Sequence, residues 1–230
     1  MRAPADPSPV SRALPCLLAT LAALMLVACV GGTEEAAQEP REVGSENGLT
    51  VYEVETGGFS IAVPDGWETL SADVLLEAGD LMGVAEENPE FEPYFRMLAG
   101  PDSPLKFVAL DPVVRNGFAT NLLVGVEDLP DGMTLDEYER ATRMQLAALG
   151  TVQGEIDVGE AALPAGEART MSYRTRLTVA GEERVFASRQ YYLVDGDKGY
   201  VITFTTLPNL AGEYADSFVR SADTFRLLSR

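Results

Sequence analysis

The sequence predicts an α+β fold, an antiparallel β-sheet with helices packed on its faces, and three observations predict it. Stretches with period-two alternation outnumber stretches of helical period between residues 51 and 228. The later strand-like stretches are joined by tight turns, which connect antiparallel neighbours. The helical stretches are amphipathic, so each has an apolar stripe that a sheet face can cover.

The elements follow in order. Val51-Tyr52-Glu53-Val54-Glu55 and Phe59-Ser60-Ile61-Ala62-Val63 alternate on either side of Gly57-Gly58, which reads as a β-hairpin stopped by Pro64-Asp65-Gly66. Ser71 caps a helix whose apolar residues Val74, Leu75, Ala78, Leu81, Met82 and Ala85 share one stripe, weakened by Gly79 and Gly83. Asn88-Pro89 starts a shorter helix, with Phe91, Tyr94, Phe95 and Leu98 on one face. Strands are expected at 105–110 and 119–126. Thr134-Leu135-Asp136-Glu137 is a capping box opening a helix that ends at Gly150, with Leu135, Tyr138, Thr142, Leu146 and Leu149 inward. Strands then follow at 151–160, 167–179, 183–194 and 199–207, with Ala180-Gly181 and Asp195-Gly196 at hairpin positions. Asn209 is placed to cap a last helix that turns Ala211, Tyr214, Ala215, Phe218 and Ala222 inward, before an edge-like run at 224–228.

Composition bounds the chemistry. The chain has 230 residues, 46% of them hydrophobic and 23% charged, which suits one globular domain plus some polar length. It has no histidine and two cysteines, so an imidazole base, a Ser-His-Asp or Cys-His pair and a histidine metal ligand are excluded. No nucleophile motif of the G-x-S-x-G or S-x-x-K kind is present, and no cofactor is expected.

The first 28 residues read as an address. Arg2 and Arg12 precede an almost wholly apolar run from Ala13 to Val27, the pattern of a secretory signal. The run closes in Leu26-Val27-Ala28-Cys29, which resembles a bacterial lipobox. The resemblance implies that residues 1–28 are removed and that Cys29 becomes the first residue, carrying diacylglycerol on its sulfur and usually palmitate or a similar acyl group on its amine. More than one acyl chain is what stable anchoring needs. Cys16 would leave with the signal, so no second thiol remains for a disulfide. The mature chain would hold 15 basic and 35 acidic residues, a net charge of −20. Such a surface repels nucleic acid and anionic headgroups, so the membrane is expected to be met through the lipid alone. Residues 29–48, rich in Glu, Gly and Ala, read as the lipidated cysteine and a flexible acidic tether, and 49–230 as the folded domain. The expected location is lipid-anchored and extracytoplasmic, at the cell membrane or an outer membrane.

Several motifs also carry a family likeness. Gly58-Phe59-Ser60-Ile61-Ala62-Val63-Pro64-Asp65-Gly66-Trp67 resembles the opening hairpin of the PsbP-like family. Three later features agree with it in order: Asn121-Leu122-Leu123-Val124 leading to the helix start at Thr134 to Tyr138, Tyr200-Val201-Ile202-Thr203-Phe204, and the ending Tyr214, Phe218, Ser221, Thr224-Phe225. LpqN-type lipoproteins look like a similar subgroup. The resemblance covers about 51–228 and implies an α-β-α sandwich in a family of docking and assembly proteins rather than enzymes. The family's photosystem docking uses a histidine that this chain lacks, so that partner is not carried over.

Candidate functional residues follow from residue type. Trp67 is either an exposed partner anchor or a cap on the core at the hairpin mouth. Asp195-Gly196-Asp197-Lys198-Gly199 alternates aspartates as a calcium loop does, but lacks the third oxygen ligand and reads as a type I′ turn. Glu86, Glu87, Glu90 and Glu92 form a weak divalent-cation site, a docking patch for a basic partner or, by default, a solvated helix end. The stretch 74–98 combines Met82, Met97, Phe91, Tyr94 and Phe95 with two glycines, either a groove for a lipid or small hydrophobic ligand or the inward faces of two helices. The reading that results is a non-catalytic, membrane-anchored binding or assembly module whose partner is an unidentified envelope protein. A lipid carrier is the alternative, and a histidine-free hydrolase using two converging carboxylates is a third.

Overall fold

Asn47 and Gly48 both take positive φ, 56° and 75°, in the computed structural model, which describes residues 40–70, 86–89, 96, 98 and 103–229. That is the type I′ turn pattern, whose twist matches the strands it joins. It folds β1 (Arg41–Glu46) antiparallel onto β2 (Leu49–Val54), with Glu46 opposite Leu49. The tether expected over 29–48, and the domain start at Leu49, are therefore corrected: at least Arg41–Glu46 is strand. Its six residues are all exposed, so it carries no buried face and no apolar alternation to read.

The expected hairpin follows, β2 pairing with β3 (Phe59–Pro64) in the register Val54 to Phe59. Gly57 is required there, because a Cβ would sit 2.3 Å from the Phe59 ring. A short β11 (Arg226–Leu227) completes this four-stranded sheet in the order β1-β2-β3-β11.

The larger sheet has seven strands in the order β4-β5-β6-β10-β9-β8-β7. These are β4 (Glu68–Leu70), β5 (Leu105–Leu110), β6 (Asn121–Asp128), β7 (Val152–Leu163), β8 (Gly166–Val179), β9 (Glu182–Asp195) and β10 (Lys198–Thr206). Every pairing is antiparallel. Ala180 and Gly181, at φ 52° and 77°, make the expected tight turn between β8 and β9. The turn between β9 and β10 differs from the type I′ reading. Asp195 pairs with Lys198, so the central residues are Gly196 and Asp197, and only Gly196 has positive φ, the type II′ pattern.

Helix α1 (Leu135–Ala148) begins with the expected capping box, Thr134 and Glu137 each bonding the other's backbone N–H. It covers one face of the large sheet, where Tyr138 and Leu146 pack with Leu129, Met171, Tyr173, Tyr192 and Val201. Helix α2 (Ala211–Ala222) and the small sheet cover the other face together. Phe59, Ile61 and Val63 of the small sheet meet Phe107, Tyr200, Ile202 and Phe204 of the large one, with Tyr214 and Phe218 of α2 closing the cluster. The fold is thus α+β and antiparallel as expected, with the β-structure split into two sheets. The cap of α2 is a further correction. Leu210 stands at the N-cap without a side-chain bond, and Asn209 lies one residue earlier in the chain.

Two sheet edges are finished by side chains, as buried backbone groups require. The Ser221 hydroxyl donates to the Ala62 carbonyl, and the Ala62 N–H donates to Thr224 Oγ1 at 2.8 Å, fixing the end of α2 to β3. Asn88 is 4% exposed and brackets Thr178 at the end of β8, while the helix it is expected to cap lies mostly outside the described residues. Its Nδ2 donates to the Thr178 carbonyl at 2.8 Å, and its Oδ1 accepts from the Thr178 N–H at 3.0 Å. Glu87 accepts from the Gly181 N–H at 2.9 Å, so the segment 86–89 is joined to the β8–β9 hairpin.

Candidate ligand groove

Alternation along β8 and β9 places the groove. Tyr173 and Tyr192 are buried among the residues under α1, so their chain neighbours Ser172, Arg174 and Tyr191 turn to the α2 face. Ser172 stands opposite Arg189, and Arg174 opposite Ala187, which puts Arg189 and Ala187 on that face too. On its other side Arg189 faces Phe204 of β10, whose ring stacks on Phe218 at 4.7 Å. The aromatic core under α2 therefore ends at Arg189.

Beyond that point the layers part. Strand β7 bulges between Gln153 and Asp157, with Gly154 at φ 78°, so it leaves the β8 ladder for three residues. The helix side presents Ala211 and Ala215, which are too short to fill the gap. The result is an open groove of about 520 Å³, walled by Ala211, Ala215 and Phe218 on one side and floored by Ser172, Arg174 and Arg189 on the other. Glu155 and Asp157 line it from the bulge.

Helix α2 is held rigidly above this floor. Tyr214 donates to Asp111, Arg115 bonds Glu213 at 2.6 Å, and the Arg115 guanidinium lies over the Tyr214 ring. Burial pushes the Tyr214 phenol above its usual range, and its bond to the Asp111 carboxylate acts in the same direction. At the groove floor the Arg189 guanidinium carbon lies 5.3 Å from the centre of the Tyr191 ring. Burial raises the Tyr191 phenol, while the Arg189 charge opposes that shift. The Arg189 Nε is buried and has no hydrogen-bond partner.

A neighbouring groove of about 600 Å³, lined by Asn88, Thr151, Arg176 and Glu183 among others, is electrically closed by comparison. Its Arg176 and Glu183 lie 3.7 Å apart as an ion pair.

Of the residues singled out from sequence, Trp67 is half-buried, packed against the core with its ring edge-on to Tyr214 at 6.5 Å, and it does not line the groove. Leu98 is buried. Cys29 with Leu26, Val27 and Ala28, and Met82, Phe91, Tyr94 and Phe95, lie outside the described residues, as does most of the stretch 74–98. Arg174 and Arg189 were missed. Their sequence signal is that five of the 17 basic residues of this acidic chain fall between Arg169 and Arg189.

No group of three potential ligands among His, Cys, Asp and Glu comes together to hold a metal ion among the described residues. No helix among them is long and apolar enough to cross a membrane.

No family model matches the sequence, and no curated protein matches it in sequence. Solved structures give the comparisons. The chain is similar to the solution structure of cyanobacterial PsbP (CyanoP) from Synechocystis sp. PCC 6803, with a TM-score of 0.49 and 16% identity over 87% of this chain and 98% of that one. It is similar to LpqN, involved in cell envelope biogenesis of Mycobacterium tuberculosis, with a TM-score of 0.47 and 12% identity over 74% and 83% of the two chains. It is also similar to the Ran-binding protein Mog1p of Saccharomyces cerevisiae, with a TM-score of 0.44 and 11% identity over 79% and 96%.

Proposed function

We propose that this chain is a lipid-anchored envelope protein, a non-catalytic binding or assembly module of PsbP-like type, held to the membrane through Cys29. The observation that carries the anchor is the close of a 15-residue apolar run, 13–27, on Ala28-Cys29. A diacylglyceryl thioether plus an acylated amine supplies the more than one chain that stable attachment needs. The polar residues between Cys29 and β1 link anchor to domain, and the domain acts outside the cytoplasm on an envelope partner.

The binding half of the reading is supported by what the domain offers. It has a formed groove with charged and apolar walls, a common character of ligand sites. The chain has no histidine. The two buried carboxylates among the described residues are engaged elsewhere: Glu127 accepts from the Tyr138 hydroxyl and Glu139 pairs with Arg143 at 2.7 Å. Neither lines the groove, and the two carboxylates that do, Glu155 and Asp157, are exposed, whereas catalytic acids are characteristically buried and perturbed.

Replacing the anchor residue tests the proposal. The native chain, made in a bacterial envelope, should sediment with membranes, resist a high-salt wash and dissolve in detergent. Cys29→Ala should abolish the thioether and move the protein out of the detergent-extracted lipoprotein fraction. A variant that remains there in the wild-type amount sinks the Cys29 assignment.

A further inference from the structure

We propose that the groove between α2 and strands β8 and β9 binds an oxyanion carried on an apolar chain, with the carboxylate or phosphate group seated on Arg174 and Arg189. The inference deepens the binding-module reading and rests on it, but it does not depend on the anchor.

The charge pairing of this region is uneven. Arg169 meets Asp136 at 2.7 Å, Arg176 meets Glu183 at 3.7 Å and Arg184 meets Glu182 at 3.7 Å. Arg174 and Arg189 have no ion-pair partner among the described residues, in a chain with 36 acidic residues. The two unpaired guanidinium groups line the same groove. An arginine keeps its charge at any physiological pH, and its planar fork suits the two oxygens of a carboxylate or phosphate. Arg189 is already oriented by the Tyr191 ring, and its buried Nε is a donor left unused. Leaving such a donor unmet is costly, and an entering oxyanion supplies its acceptor.

The remaining walls define the rest of the ligand. Ser172 brings a hydroxyl group to the cationic floor, while Ala211, Ala215 and Phe218 make the facing wall apolar. Glu155 and Asp157 on the bulge repel an anion from that rim, which directs the headgroup to the β8–β9 side and leaves the chain along the helix. The available space, about 520 Å³, lies within the ordinary range for small-ligand sites.

The test is calorimetric titration of the full chain in the presence of phosphatidylcholine nanodiscs, seated in them where it carries lipid and free beside them where it does not, with empty discs as the blank. Hexyl phosphate and hexanoate should bind saturably at one site per chain, and hexanol should give no saturable heat. Arg189→Gln and Arg174→Gln should each weaken hexyl phosphate by about tenfold or more, the loss of one charge-assisted contact. Arg176→Gln, at the paired arginine of the neighbouring groove, should change it by less than about twofold, which separates a local site from net charge. Discs containing phosphatidylglycerol distinguish the source: suppressed titration identifies a lipid headgroup as the occupant, and unchanged titration a free amphiphilic acid, both upholding the site. Absence of binding by both anions, equal binding by the Arg189→Gln/Arg174→Gln double variant, or inorganic phosphate binding as tightly as hexyl phosphate would overturn the proposal. These outcomes are independent of the Cys29→Ala fractionation, so the two readings fail separately.

Discussion

Phe218→Ala should lower the free energy of unfolding by about 3–5 kcal/mol, the usual cost of removing a buried aromatic ring without refilling its space. Phe218 is 4% exposed and forms the contact through which α2 holds the large sheet. Its ring stacks on Phe204 at 4.7 Å and on Tyr214 at 5.8 Å, so truncation removes two aromatic contacts with the apolar burial. The cavity cannot readily close. The far end of the helix is fixed to β3 by Ser221 and Thr224, and its first turn by Tyr214 to Asp111 and Arg115 to Glu213. Urea unfolding followed by fluorescence measures the effect, and Phe218→Leu, which retains most of the apolar volume, should cost less. A loss below about 1 kcal/mol for the alanine variant would mean that α2 is not integral to the core.

Gly199→Ala should destabilise the domain by about 1–3 kcal/mol through overpacking on the other face of the sheet. A Cβ at residue 199 would lie 2.8 Å from both Cζ and Oη of Tyr138 and 3.0 Å from Leu129 Cδ2. Tyr138 cannot simply retreat, because its hydroxyl donates to Glu127 and its ring meets Tyr192 edge-on at 5.7 Å. The reduced freedom of an alanine in the unfolded chain would on its own favour folding by about 0.4–1 kcal/mol. A variant as stable as the parent in the same urea titration would therefore show that the α1 layer yields at this position.

Much of the architecture was legible because its signals are local. The Thr134 to Glu137 capping box, the alternation in 51–63 and the Ala180-Gly181 turn each need only neighbouring residues, and the structure has all three. The failures have equally specific causes. Strand β1 has no buried face, so its Arg-Glu-rich sequence matched a tether, although Asn47-Gly48 is a strong hairpin signal in its own right. The bond from Asn88 to Thr178 had no local signal, because its partner is 90 residues away. The division into two sheets depends on strand order, which periodicity does not encode.

The groove was less legible than the fold. Arg174 and Arg189 occupy positions that alternation assigns to one face, but their lack of acidic partners depends on how β7, β8, β9 and α2 meet. The β7 bulge that opens the space also belongs to pairing rather than composition. The sequence marks 74–98 instead, where Met and aromatic residues combine, and Met82, Phe91, Tyr94 and Phe95 lie outside the described residues.

The most direct measurement for the anchored-module reading is intact and N-terminal-peptide mass spectrometry of the native protein extracted from membranes. The expected result is a chain beginning at Cys29, with a diacylglyceryl group on the first residue and a further acyl group on its amine. A chain that begins elsewhere, or a Cys29 that bears a free thiol, would contradict the account.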